Sequence, residues 1–179
     1  MPNCVDYDCG ELTDHLPNSC NTQVLGGSDA IAFLTCDHQL TDPSDSVELQ
    51  AEYDAGRLKV FKSVKVGIPA ASPVTTTSYI AGAVAPVSNY DRTITVVDAN
   101  YNQDNITLYD LILNNKSFGG ALVRLADSDQ IIWLNYRLTA EGSPIVPDDT
   151  NEAIRFETTF KGRSKLMGNL YANSSSLFD

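Results

Sequence analysis

The sequence predicts a mainly β protein: a β-sandwich or partly closed barrel with one flanking α-helix and an irregular N-terminal arm. Short segments rich in Val, Ile, Thr and Phe alternate in polarity with a period of two, as half-buried strands do. Prolines and glycines separate these segments at short intervals. One segment alone shows sustained helical spacing. About seven short strands of this kind bury their apolar faces in two packed sheets or one curled sheet, with the helix on an open face or end.

The elements follow in chain order. Residues 1–30 are rich in Asn, Asp, Gly and Ser, show no clear period and read as an irregular arm. "DAIAFLTC", 29–36, is the first strand. "TDPSDSVELQAEYDAG", 41–56, reads as a turn and then a short helix or loop, with Thr41 or Ser44 as the cap. In "RLKVFKSVKVG" one strand is expected to place Leu58, Val60, Val64 and Val66 on one face, and Lys59, Phe61, Ser63 and Lys65 on the other. Residues 67–91 read as a long Pro- and Ala-rich connection containing a strand at "VTTTSYIA". "RTITVVDA", 92–99, is a strand.

The helix is "NQDNITLYDLILNNKSFGG". Asn102 or Asp104 caps it, Ile106, Tyr109, Ile112 and Leu113 share one side, and Asn114, Asn115 and Gly119-Gly120 close it. "GALVRLA" and "QIIWLNYRLTA" pair as a hairpin around "DSD", 127–129, with Trp133 in the strand core. "GSPIVPDDTN" reads as a loop, and "EAIRFETTF" as the last strand, alternating Ile154, Phe156 and Phe160 with Arg155, Glu157 and Thr159. The expected organisation is an acidic, Cys-containing arm with the first strand over 1–56, a β-rich core over 57–168, and a tail over 169–179. The tail's closing "NSSSLFD" is expected to fray or to dock outside the domain.

The chain has 179 residues, 42% of them apolar and 20% charged, which marks a folded domain with its own core. The net charge of -11 comes from one end. Residues 1–56 hold eleven acids and no Lys or Arg, whereas residues 57–179 hold twelve of each sign. Such a surface disfavours wrapping by nucleic acid. It serves either as a solubilising face or as a surface that meets cations on a neighbour. No apolar run approaches the ~18 residues of a transmembrane helix, so no membrane association is expected. The start lacks a basic and apolar leader pattern, so no secretory signal is expected.

Cys4, Cys9, Cys20 and Cys36 are spaced C-x4-C-x10-C-x15-C, with His15 and His38 interleaved. Paired zinc knuckles show two close Cys pairs, and only Cys4/Cys9 comes near that. Four thiolates, or three with His15, disulfides, and unlinked thiols all remain open readings, each of them structural. "DANYNQD", 98–104, imitates the first half of a calcium loop, but Gln103 stands where Gly is needed and Tyr109 where Glu is needed. Asp127, Asp129, Asp148 and Asp149 fall in turn-like segments and read as solvated turn acids. Gly26-Gly27 and Gly119-Gly120 lack the Lys and Ser/Thr of a phosphate cradle. The two histidines are the sole imidazoles for activating a nucleophile, and no nucleophile elbow accompanies them. No catalytic residue, cofactor or metal ligand is therefore assigned, and enzymatic activity is not expected. Bases cluster at Lys59, Lys62 and Lys65 and at Lys161, Arg163 and Lys165, positions suited to meet an acidic segment of another copy.

With its acidic front, mid-chain helix, hairpin and closing "NEAIRFETTFKGRSK", the chain resembles virion structural proteins of tailed bacteriophages, most of all tail tube proteins. The opening cysteines followed by "GGSDAIAFLTCD" are similar to structural proteins of phages of Bacteroidetes hosts. The resemblance implies a subunit that self-assembles, hexameric rings being the family's form, into a tube that conducts DNA without binding it tightly. It also implies contacts with other virion proteins and a place in the virion, assembled in the host cytoplasm. The cysteine arm departs from ordinary tube proteins and leaves open a head-decoration or head–tail connector role. A ligand- or metal-binding β-sandwich module is the alternative of another class.

Overall fold

The alternating run after Arg57 is where the chain divides its sheet. Ser63 adopts a left-handed backbone conformation (φ 56), which breaks the run into two strands. In the computed structural model these are β2 (Leu58–Lys62) and β3 (Lys65–Gly67). The break shifts the alternation by one residue. Phe61 before it and Val64 and Val66 after it enter the same core, while Leu58 enters a second one. The single strand with Leu58, Val60, Val64 and Val66 on one face is thereby corrected.

The structure describes residues 27–35, 38–75, 87–115, 117–126, 129–147 and 154–178. Besides β2 and β3 they form β1 (Ala30–Thr35), α1 (Ser46–Asp54), β4 (Ser72–Thr75), β5 (Val87–Asp98) and α2 (Gln103–Asn115). They continue with β6 (Phe118–Arg124), β7 (Gln130–Leu134), β8 (Leu138–Ile145), β9 (Arg155–Arg163), β10 (Asn169–Ala172) and a 3-10 turn at Ser176–Phe178. Among the described residues the protein is mainly β, with one antiparallel sheet that is not closed, and two α-helices rather than one. The irregular arm lies outside the described residues up to Gly27.

The sheet has two halves. In the first, β1 lies between β2 and β6, with Ala32 facing both Val60 and Leu122, and β6 continues to β7 and β10. Central placement explains the unbroken apolar run of β1: Ile31 and Phe33 fill one core, and Ala30, Ala32 and Leu34 the other. In the second half, β9 lies between β8 and β5, and β3 and β4 both pair with the far side of β5. Among the described residues, the ladder between halves is the single pair Phe118↔Leu138. At the other end, the amides of Val64 and Val66 donate to the carbonyls of Asp29 and Ser28, at 3.0 and 3.2 Å, so β3 leans back toward β1 without closing the sheet.

The halves face each other across the main core. The rings of Phe33 on β1 and Phe160 on β9 stack at 4.0 Å between centroids, and Phe118 packs against both. α2 seals one end through Tyr109 and Ile112, with Ile106 and Leu113 alongside, as its spacing predicts. Its cap is Asn102, whose side chain accepts from the Asn105 amide at 2.9 Å. The first half also buries its outer face. Leu58, Leu122, Ile131 and Trp133 are covered by Leu40, by Leu49 of α1 and by Phe178.

α1 is capped by Asp45, whose carboxylate accepts from the Val47 amide at 2.8 Å. The expected caps are engaged elsewhere: Ser44 bonds back to Asp42, and the Thr41 amide donates to Glu48. Residues 142–145, read as loop, extend β8. Along this stretch β8 has a strand partner on one side among the described residues, and an edge tolerates Pro144, which has no amide hydrogen to give. Nor is β9 the last strand. β10 pairs with β7 through Asn169↔Trp133 and Leu170↔Ile132. The tail docks on its own domain: Phe178 is 2% exposed, and its carbonyl accepts from Arg124 Nη1 at 2.6 Å. Arg124 also pairs with Asp29 at 2.7 Å, and this bond holds the Asp29 carboxyl below its ordinary range. In urea unfolding, Phe178→Ala is expected to lower stability by about 3 kcal/mol, the cost of removing a buried ring. A loss under about 0.5 kcal/mol, the scale of a surface change, means that the tail contributes nothing to the core.

Candidate subunit-docking surface

The residues of β5, β8 and β9 that alternate with the core point to the outside of the second half. Lys161 stands in register between Thr139 and Thr93, and Arg163 opposite Asp91. This outer face is polar, whereas α1 and the tail cover the outer face of the first half. The two outer faces lie on opposite sides of the packed halves.

The polar face holds a basin of about 530 Å³ lined by Arg92, Arg137, Lys161 and Arg163, together with Asp91, Thr93, Thr139 and Gly162. Lys161 pairs with Glu141 at 2.5 Å and Arg163 with Asp91 at 2.6 Å. Both pairs are more than half exposed on each side, so each contributes about 0–1 kcal/mol and leaves its cation available to an incoming carboxylate. Gly162 is required by close approach: a Cβ there would sit 2.5 Å from the Arg137 carbonyl and 2.7 Å from the Tyr136 ring. Tyr136 is 8% exposed, and among the described residues its hydroxyl has no hydrogen-bond partner. Burial pushes this phenol upward, and the nearby Arg92 pulls the other way.

The opposite face is acidic. Asp42, Asp45, Glu48, Glu52 and Asp54 lie on α1 or just before it, and no Lys or Arg precedes Arg57. Glu52 is held by Arg57 at 2.6 Å, which keeps its carboxyl low. Val47, Gln50 and Asp54 recur at helical spacing on one side, and Val47 is 74% exposed.

The other sequence candidates separate. Cys4, Cys9, Cys20, Cys36 and His15 lie outside the described residues, as do Gly26, Asp127, Asp148 and Asp149. His38 follows β1, its amide bonded to the Thr35 carbonyl at 3.2 Å. Lys59 and Lys62 lie on β2 and Lys65 on β3, all exposed, so that cluster spans two strands. Lys161 and Arg163 do come together with Arg137, which the strand reading of "QIIWLNYRLTA" passed over. The bend at residues 135–137 carries Arg137 to the basin; its signal in the sequence is Asn135, a turn former inside an apolar run. In the calcium-like "DANYNQD", Asp98 is 3% exposed and spent on structure. Its carboxylate accepts from the Tyr109 hydroxyl at 3.0 Å and from the Asn100 amide at 2.8 Å. Burial, followed by the charge of Asp98, pushes the Tyr109 phenol far up. Trp133 is buried against Gly120, where a Cβ would fall 2.5 Å from the indole.

Comparison of this chain with family models, with curated proteins and with solved structures finds no match.

The two buried tyrosines predict opposite responses to loss of a hydroxyl. Tyr109→Phe leaves the Asp98 carboxylate short of a donor and is expected to cost about 1–3 kcal/mol in chemical denaturation. Tyr136→Phe removes a hydroxyl that has no partner and is expected to be neutral or stabilising. Equal losses from both would refute this assignment.

Proposed function

We propose that this chain is a non-enzymatic structural subunit that self-assembles into the rings or tube of a phage tail and lines a conduit for DNA. One observation carries the reading: among the described residues, the sheet ends in short strands that are paired on one side only and are flanked by apolar side chains. β10 pairs with β7 on one side, and Leu166, Met167 and Leu170 around it are 66%, 81% and 56% exposed. β4 pairs with β5 on one side, and the link before it lines a groove of about 550 Å³ with Ile68, Pro69, Tyr90 and Met167. Unpaired strand edges with apolar flanks are templates for another strand, and a fold that exposes them gains by covering them.

Strand addition from copy to copy continues the sheet around a ring, and a rotation that closes gives a defined ring. The resemblance to tail tube proteins supplies the expected form: hexameric rings, stacked into a tube, with other virion proteins at its ends. The net charge of -11 suits a passage that DNA traverses without adhering. In this reading the protein resides in the virion and is assembled in the host cytoplasm.

Light scattering and negative-stain imaging of the purified full chain test the proposal. Rings or tubes are expected as concentration rises. A species that remains a single chain at high concentration, with and without other virion proteins, rules it out.

A further inference from the structure

We propose that the acidic outer side of α1 in one copy docks into the cationic basin on β5, β8 and β9 of the next. The inference deepens the assembly reading and rests on it. It adds a heterologous contact between opposite faces of the subunit, distinct from the open sheet edges.

The argument is one of placement and charge. α1 covers the outer face of the first half-sheet, and the basin opens on the outer face of the second. The inner faces of both halves are joined by the Phe33–Phe160 stack, so the two charged surfaces point away from each other. One subunit cannot bring them together within itself, but a second copy can. Such a contact uses different patches on its two sides and propagates from copy to copy, giving a closed ring or an extending stack.

The surfaces match in chemistry. The helix side offers Asp45 and Asp54 beside the exposed Val47, with no base in the segment. The basin offers Arg137, Lys161 and Arg163, and its internal partners, Glu141 and Asp91, are held in exposed pairs that exchange readily. Docking trades those weak pairs for contacts that are partly withdrawn from water, where opposite charges attract more strongly.

Salt separates this contact from assembly by apolar edges alone. Copies that each carry a net charge of -11 repel, so screening by salt strengthens any assembly held only by apolar contacts. A contact between helix acids and basin cations responds in the opposite way: raising salt weakens it.

The test uses the full chain in sedimentation runs across a salt series, with two double variants. Arg137→Glu with Arg163→Glu reverses the basin. Gln50→Lys with Asp54→Lys reverses the helix side without touching the cap at Asp45. Each variant alone is expected to assemble about tenfold more weakly or worse than the unaltered chain. An equimolar mixture of the two is expected to recover assembly, because the reversed, basic helix side of one variant then meets the reversed, acidic basin of the other, and the unreversed acidic helix side meets the unreversed cationic basin. That recovery also shows that both variants fold. For the unaltered chain, assembly is expected to weaken as salt rises. Assembly that strengthens with salt, that ignores both reversals, or that fails to recover in the mixture overturns the contact while leaving edge-to-edge assembly standing. A chain that stays single under all conditions overturns both.

Discussion

The contact on which the structure depends is the packing of one half of the sheet against the other through aromatic rings. The hydrogen-bonded ladder cannot do this: between β6 and β8 it amounts to one residue pair among the described residues. Two amides of the β3 region lean on the residues before β1, and among the described residues no strand ladder joins β3 to β1. What joins the halves is Phe33 stacked on Phe160, with Phe118 across both and Tyr109 on Phe156 at the end closed by α2. Rings bury large apolar areas and lock in a few geometries, so a small sandwich can rest on them where its ladder is thin.

The remaining features follow from that arrangement. Once the inner faces are joined, two outer faces remain. The central strands of the first half, β1 and β6, are apolar on both sides, so that half needs a cover, which α1 and Phe178 provide. The second half alternates apolar with polar, so its outer face is left to solvent and carries the cationic basin. The acids from Asp42 to Asp54 go with the cover, and the cations of β9 go with the bare face. Among the described residues, the charge asymmetry visible along the chain thereby becomes in part an asymmetry between opposite faces of the fold. In the proposed assembly, opposite charges on opposite faces give each copy a direction, which suits a ring or tube better than a closed two-fold dimer.

Much of this architecture can be read from residues. β1 announces itself by an unbroken apolar run, β9 by strict alternation, and α2 by Ile106, Tyr109, Ile112 and Leu113 at helical spacing. The misreadings share a cause: local pattern is silent about which partner a segment finds. Ser63 carries no sign that it turns left-handed and reverses the alternation, since Gly or Asn is the usual marker. Gly142 to Ile145 look like a loop until β9 pairs with them, and the serine-rich tail looks loose until Phe178 finds the space over Trp133 and Leu122. The basin is half legible: Lys161 and Arg163 stand close in sequence, but Arg137 and Asp91 arrive by tertiary pairing alone.

The most direct test of the central contact is a double-mutant cycle on Phe33 and Phe160, each changed to Leu, followed by urea unfolding. Rings that hold the halves together predict a coupling energy of about 1 kcal/mol beyond the two separate losses. Losses that add to within about 0.3 kcal/mol would contradict it, for the two rings would then be packed independently.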